Sequence, residues 1–127
     1  MTIREIARIL NASWVCCEDC ADNDVRHAFA SDMMSDVLAH VVEDTMMLTG
    51  LINSQSVRTA EMLDAPCLVF VRGKEPHKDA VQRAEVIGLP TLVTQYSMFE
   101  ACGLLYAAGL TPCPLGALNG GDDDDDD

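Results

Sequence analysis

Hydrophobic positions along this chain follow two periods in alternation. Three short apolar runs, Thr45-Met46-Met47-Leu48-Thr49, Cys67-Leu68-Val69-Phe70-Val71 and Thr91-Leu92-Val93-Thr94, have the length and composition of strands buried on both faces. Stretches at helical spacing lie between them. Ser54 to Asp64 places Val57, Ala60 and Leu63 on one side. Pro76 to Ile87 turns Ala80, Ala84 and Ile87 inward and Lys78, Asp79, Gln82 and Glu85 outward. Pro76 suits a first helical turn and Gly88 a C-terminal cap. Strand, helix, strand, helix, strand predicts two right-handed crossovers and a parallel sheet covered on both faces.

The first third is less regular. Residues 2–11 read as a helix, with Thr2 and Glu5 at capping-box spacing and Ile3, Ile6, Ala7 and Leu10 on one face. Trp14 to Cys17 and Val25 to Ala30 are short strand candidates on either side of a polar turn, Glu18 to Asp24. A helix from about Ser31 to His40 follows, with Met34, Val37, Leu38 and Val41 lined up. A last helix opens at Ser97, three residues before Glu100, and ends at Gly109. The expected fold is therefore a small three-layer α/β domain over residues 1–109, its mostly parallel sheet using strands near 45–49, 67–71 and 91–94. Residues 110–127, with Pro112, Pro114, Gly116, Gly120, Gly121 and six terminal Asp, read as a flexible acidic tail.

Composition adds two constraints. Net charge is −13, and without Asp122 to Asp127 the balance of 8 basic against 15 acidic residues is still −7. Such a surface repels phosphate backbones and no basic cluster offsets it, so nucleic acid and anionic membrane are not expected partners. The start, Met1 to Ile6, carries charges at helical spacing rather than a continuous apolar stretch, which predicts a cytoplasmic protein. Six cysteines in a reducing compartment predict free thiols.

Ligands of parallel sheets bind beyond the carboxyl ends of the strands, where helix N-termini converge. The residues at those positions are Ser31 and Asp32 after the second strand, Thr49, Gly50, Asn53 and Gln55 after the third, Arg72, Gly73 and Lys74 after the fourth, and Thr94 after the fifth. Two cations, hydroxyls and open helix ends suit a small anionic, nucleotide-like ligand. The bland alternative makes Asn53 and Ser31 helix caps, the glycines turn residues, and Arg72 the partner of a carboxylate such as Glu100.

Cys16, Cys17 and Cys20 form a C-C-x-x-C half-motif that Cys113 would have to complete to hold Zn or an iron–sulfur cluster. Against this stands an ordinary set of small thiols without a cofactor. No Gly-x-Ser-x-Gly, P-loop or Gly-x-Gly-x-x-Gly occurs, the Ser31-Asp32 and Ser35-Asp36 helix start has only His40 at its far end, and predicted structure separates His27 from His77, so no enzymatic constellation is expected.

Several segments, in order, resemble free-standing DRTGG domains. They are Ala30 to Leu38 (Ala-Ser-Asp-Met-Met-Ser-Asp-Val-Leu), Leu48 to Met62 (Leu-Thr-Gly-Leu-Ile-Asn-Ser-Gln-Ser-Val-Arg-Thr-Ala-Glu-Met), Val69 to Lys74 (Val-Phe-Val-Arg-Gly-Lys) and Met98 to Tyr106. One segment departs from that family: Asp24-Val25-Arg26-His27-Ala28-Phe29-Ala30 lacks the paired glycines of the motif. The resemblance implies an α/β domain similar to the N-terminal domain of HPr kinase/phosphorylase. Such domains occur alone or fused into regulatory proteins such as CBS-domain pyrophosphatases. It further implies an accessory or regulatory role beside iron-only hydrogenase or other redox-enzyme subunits. A homodimer is also expected, resting on the resemblance and on Met33, Met34, Met46 and Met47 being exposed apolar surface.

Overall fold

The computed structural model describes residues 1–42 and 44–114. Its helices are α1 (Ile3–Ile9), α2 (Met34–His40), α3 (Ser54–Met62), α4 (Lys78–Ile87) and α5 (Met98–Ala107). The strands are β1 (Ser13–Cys16), β2 (His27–Ala30), β3 (Thr45–Thr49), β4 (Leu68–Phe70), β5 (Thr91–Val93) and β6 (Thr111–Pro112). They form one six-stranded sheet in the order β1-β5-β4-β3-β2-β6. Only β1, antiparallel to β5, breaks the parallel run. The three strands expected from the apolar runs are β3, β4 and β5, adjacent and parallel. Every residue of β3 is buried, the mark of a strand covered from both sides.

Local chemistry explains where the helices begin and end. Thr2 and Glu5 close a reciprocal capping box at α1. Asn53 accepts from the Gln55 amide at the start of α3, and Ser97 from the Glu100 amide at the start of α5. The α5 cap is only half a box, because the Glu100 carboxylate bonds the Ser97 hydroxyl instead of its amide. Gly88 ends α4 in the left-handed region, φ 72°. Helix α4 starts later than the sequence suggested, at Lys78 after an extended His77, so Pro76 lies outside its first turn. Helix α2 also starts late, and its Leu38 is 44% exposed instead of inward.

The connections decide the layers. Helices α2, α3 and α4 pack on one face around Met47, Leu68 and Phe70. Each of the three crossovers steps one strand in the same direction, β2 to β3 to β4 to β5, so right-handed crossovers put their helices on one side. The other face, around Met46, Leu48, Val69 and Leu92, is covered by α1 and α5. Helix α5 runs back across the sheet to deliver β6 beside β2. The chain therefore stays packed beyond Gly109: Leu110 and Cys113 are buried, and the Cys113 amide bonds the Ala28 carbonyl. The acidic run Asp122 to Asp127 lies outside the described residues. Met34, Met46 and Met47 are core residues, which leaves only Met33 of the four exposed.

Candidate functional site

Strands β4 and β5 feed helices on opposite faces, so the sheet's topological switch point lies between their carboxyl ends. Backbone hydrogen bonds stitch this point together. The Arg72 amide donates to the Tyr96 carbonyl and the Gly73 amide to the Thr94 carbonyl, each at 2.8 Å. One loop further along, the His77 amide donates to the Ile52 carbonyl at 2.9 Å. The β3–α3, β4–α4 and β5–α5 loops thus form one connected rim. Arg72 and Gly73 both take left-handed backbone, φ 64° and 65°. The left-handed φ favours glycine at Gly73, where a Cβ would also push the Gln95 side chain aside.

The structure brings Asp32, Thr49, Gly50 and Arg72 together on this rim. The Asp32 carboxylate accepts from the Gly50 amide at 2.6 Å and from the Thr49 hydroxyl at 3.2 Å. Its second oxygen lies 3.9 Å from the Arg72 guanidinium, with both side chains about half exposed. At that distance and exposure the pair contributes ~0–1 kcal/mol. Arg72 therefore faces Asp32, not Glu100, which caps α5. The guanidinium also stacks over Gly50, where a Cβ would collide with it. Lys74, two residues on, is exposed.

Three more of the polar residues chosen from the sequence have structural partners. Thr94 is fully buried, and its hydroxyl donates to the Leu10 carbonyl at 2.7 Å, tying α1 to the sheet. Asn53 caps α3. The Ser31 hydroxyl accepts from the Met33 amide and shapes the turn before α2. Gln55, in the first turn of α3, is exposed.

The cysteines do not gather. Among the described residues no group of three or more His, Cys, Asp or Glu is placed to hold a metal. Cys16 ends β1 at one edge of the sheet, whereas Cys113 follows β6 at the other and accepts from the Thr45 hydroxyl. At ~4.8 Å per step, the five steps between the two edge strands come to roughly 24 Å. The Cys16 thiol donates to the Leu89 carbonyl at 3.3 Å. Burial, then the neighbouring Cys16, push the Cys17 thiol up to about 11. A thiolate ligand needs the opposite shift.

Sequence reasoning missed an apolar concavity. A groove of about 480 Å³ runs between α5 and the β2–β6 end of the sheet, lined by Ala28, Ala30, Phe99, Cys102, Tyr106 and Pro112 among others. The available signal was in α5 itself, whose ten residues include one charge, Glu100. No helix among the described residues is long and apolar enough to cross a membrane.

The fold is shared with a solved chain comprising the CBS and DRTGG domains of the regulatory region of Clostridium perfringens pyrophosphatase, in complex with its activator diadenosine tetraphosphate. The superposition has a TM-score of 0.65 at 14% identity and covers 90% of this chain. This chain spans 48% of that one. No protein-family model matches the sequence, and no curated protein does.

Proposed function

We propose that this protein is a non-catalytic regulatory module that binds a small phosphate-bearing, nucleotide-like anion at the carboxyl rim of its sheet. One observation carries this reading. Arg72 is a half-exposed cation, only loosely paired, held at the rim in a backbone conformation that costs an L-residue ~1–2 kcal/mol. Strain of this kind is retained where the surrounding structure uses it. Lys74 adds a second cation, and the amide ends of α3 and α4 open on the same rim. The regulatory region that shares the fold, solved with a polyphosphate activator, supports the ligand class. The hydroxyls of Ser31, Thr49 and Thr94 are all held by structural hydrogen bonds, which favours binding over chemistry at this rim. Hydrogenase or other redox-enzyme subunits, the partner class implied by the resemblance to DRTGG domains, would be what the module regulates.

Titration calorimetry and thermal shift of the whole chain with inorganic phosphate, ATP and diadenosine tetraphosphate test the proposal. A ligand at about 100 times its Kd should raise stability by ~2.7 kcal/mol. Arg72→Ala should weaken that ligand by ~1.5–3 kcal/mol, the scale of a charged hydrogen bond. If none of the three binds, or Arg72→Ala together with Lys74→Ala binds as tightly as the parent, the proposal fails.

A further inference from the structure

Two glycines of the rim are covered in the same way. The Arg72 side chain, from the β4–α4 loop, reaches back one strand and lays its guanidinium where a Cβ of Gly50 would stand. The Gln95 side chain, from the β5–α5 loop, also reaches back one strand and lays its carboxamide where a Cβ of Gly73 would stand. The rim therefore presents two flat hydrogen-bonding groups in succession, about 4.8 Å apart at one strand spacing. The backbone holds Gln95 in place. The Arg72 and Gly73 amides donate to the Tyr96 and Thr94 carbonyls, which flank it on either side.

Other polar side chains of this loop have work within the fold. Thr94 bonds the Leu10 carbonyl, and Ser97 and Glu100 cap α5. The Gln95 side chain is exposed, and among the described residues its carboxamide makes no hydrogen bond. A carboxamide offers one accepting oxygen and two donating hydrogens without a net charge. It sits beside a cation on a chain whose net charge is −13, and does not repel an anion as Asp32 does.

We propose that Gln95 makes the rim selective for a nucleotide over a bare polyphosphate, by hydrogen bonding the sugar hydroxyls next to a phosphate held at Arg72. This assignment rests on the reading of the rim as an anion site, and adds which end of the ligand lies where. Spacing selects the sugar. In a nucleotide the sugar is bonded to the phosphate and the base lies beyond it, so the group one strand spacing from the held phosphate is the sugar. Chemistry agrees with spacing. A hydroxyl both donates and accepts, and a carboxamide answers it in both directions, whereas a cation only donates. The guanidinium suits the phosphate for the complementary reason, its fork of donors meeting two oxygens at once.

Titration calorimetry of the full chain with ATP, 2′,3′-dideoxyadenosine triphosphate and inorganic tripolyphosphate tests the assignment. Gln95→Ala should weaken ATP by about 5- to 30-fold, the scale of one to two neutral hydrogen bonds. It should leave the dideoxy compound and tripolyphosphate within about 2-fold of the parent, with an unchanged urea midpoint, because neither ligand offers the hydroxyls. Arg72→Ala should weaken all three, since all three carry the phosphates. If Gln95→Ala binds ATP as tightly as the parent while Arg72→Ala weakens it, the role of Gln95 is overturned and the anion site stands. If Gln95→Ala weakens ATP and the dideoxy compound alike, the contact is to the base and the sugar assignment falls. A parent that binds none of the three overturns the anion site and this assignment with it.

Discussion

The Asp32 carboxylate sits 2.6 Å from the Gly50 amide nitrogen, in the position that an anion bound at the end of β3 would occupy. In the proposed function, a phosphate bound at the rim would have to displace this side chain of the β2–α2 loop. Asp32→Asn keeps the acceptor for the Gly50 amide and removes the charge. It should leave stability near the parent's and tighten binding of ATP or phosphate by about 2- to 5-fold, the scale of one exposed charge contact. Calorimetry at fixed ionic strength measures this. Weaker binding by Asp32→Asn would mean that Asp32 touches the ligand instead of competing with it.

Arg72 and its backbone can be separated by choice of replacement. Both Arg72→Ala and Arg72→Gly remove the guanidinium, but only glycine relieves the left-handed φ of 64°. Arg72→Gly should be more stable than Arg72→Ala by about 0.5–1 kcal/mol in urea unfolding, while the two bind ligand equally poorly. Equal stabilities would remove strain from the account of this position.

Thr94 and Asn53 should affect stability without affecting affinity. Thr94→Val strands the buried Leu10 carbonyl and should cost ~1–3 kcal/mol. Asn53→Ala removes the α3 cap and should cost ~0.5–2 kcal/mol. Denaturant midpoints combined with calorimetry check both. A large affinity loss in either variant, with stability intact, would restore it to the ligand site.

Thiol ionisation should weaken the fold at alkaline pH. Burial raises Cys67, fully enclosed in the core, and Cys17, which is pushed up from 9.0 to about 11. In the unfolded chain these thiols ionise at their ordinary value, so above about pH 9 the unfolded state holds fewer protons and stability falls as pH rises. Below that window both states keep the proton and the contribution is complete. The melting temperature should therefore decline between about pH 9 and pH 11, and Cys17→Ser should flatten the decline. Iodoacetamide should likewise modify Cys17 slowly at neutral pH. Rapid labelling of Cys17 at pH 7 in the folded protein would contradict this.

Much of the scaffold was determined by the sequence alone. The runs at Thr45–Thr49, Leu68–Phe70 and Thr91–Val93, the caps at Thr2, Asn53 and Ser97, and the Gly88 stop depend on neighbours within a few residues. Short-range periodicity and side-chain-to-backbone bonds are written locally, so they survive in one dimension. Tertiary structure decided the rest. Gathering α2, α3 and α4 on one face follows from the direction of the crossovers, which no local pattern encodes. Thr94 and Leu10 meet across 84 positions and Asp32 and Gly50 across 18, so the partners of Thr94 and Asp32 are set by sheet register. The short β6 was hidden for the same reason: two residues, one of them Pro112, carry no strand signal until β2 is there to pair with. What each polar side chain can still offer a ligand is what remains after those distant partners have taken their hydrogen bonds.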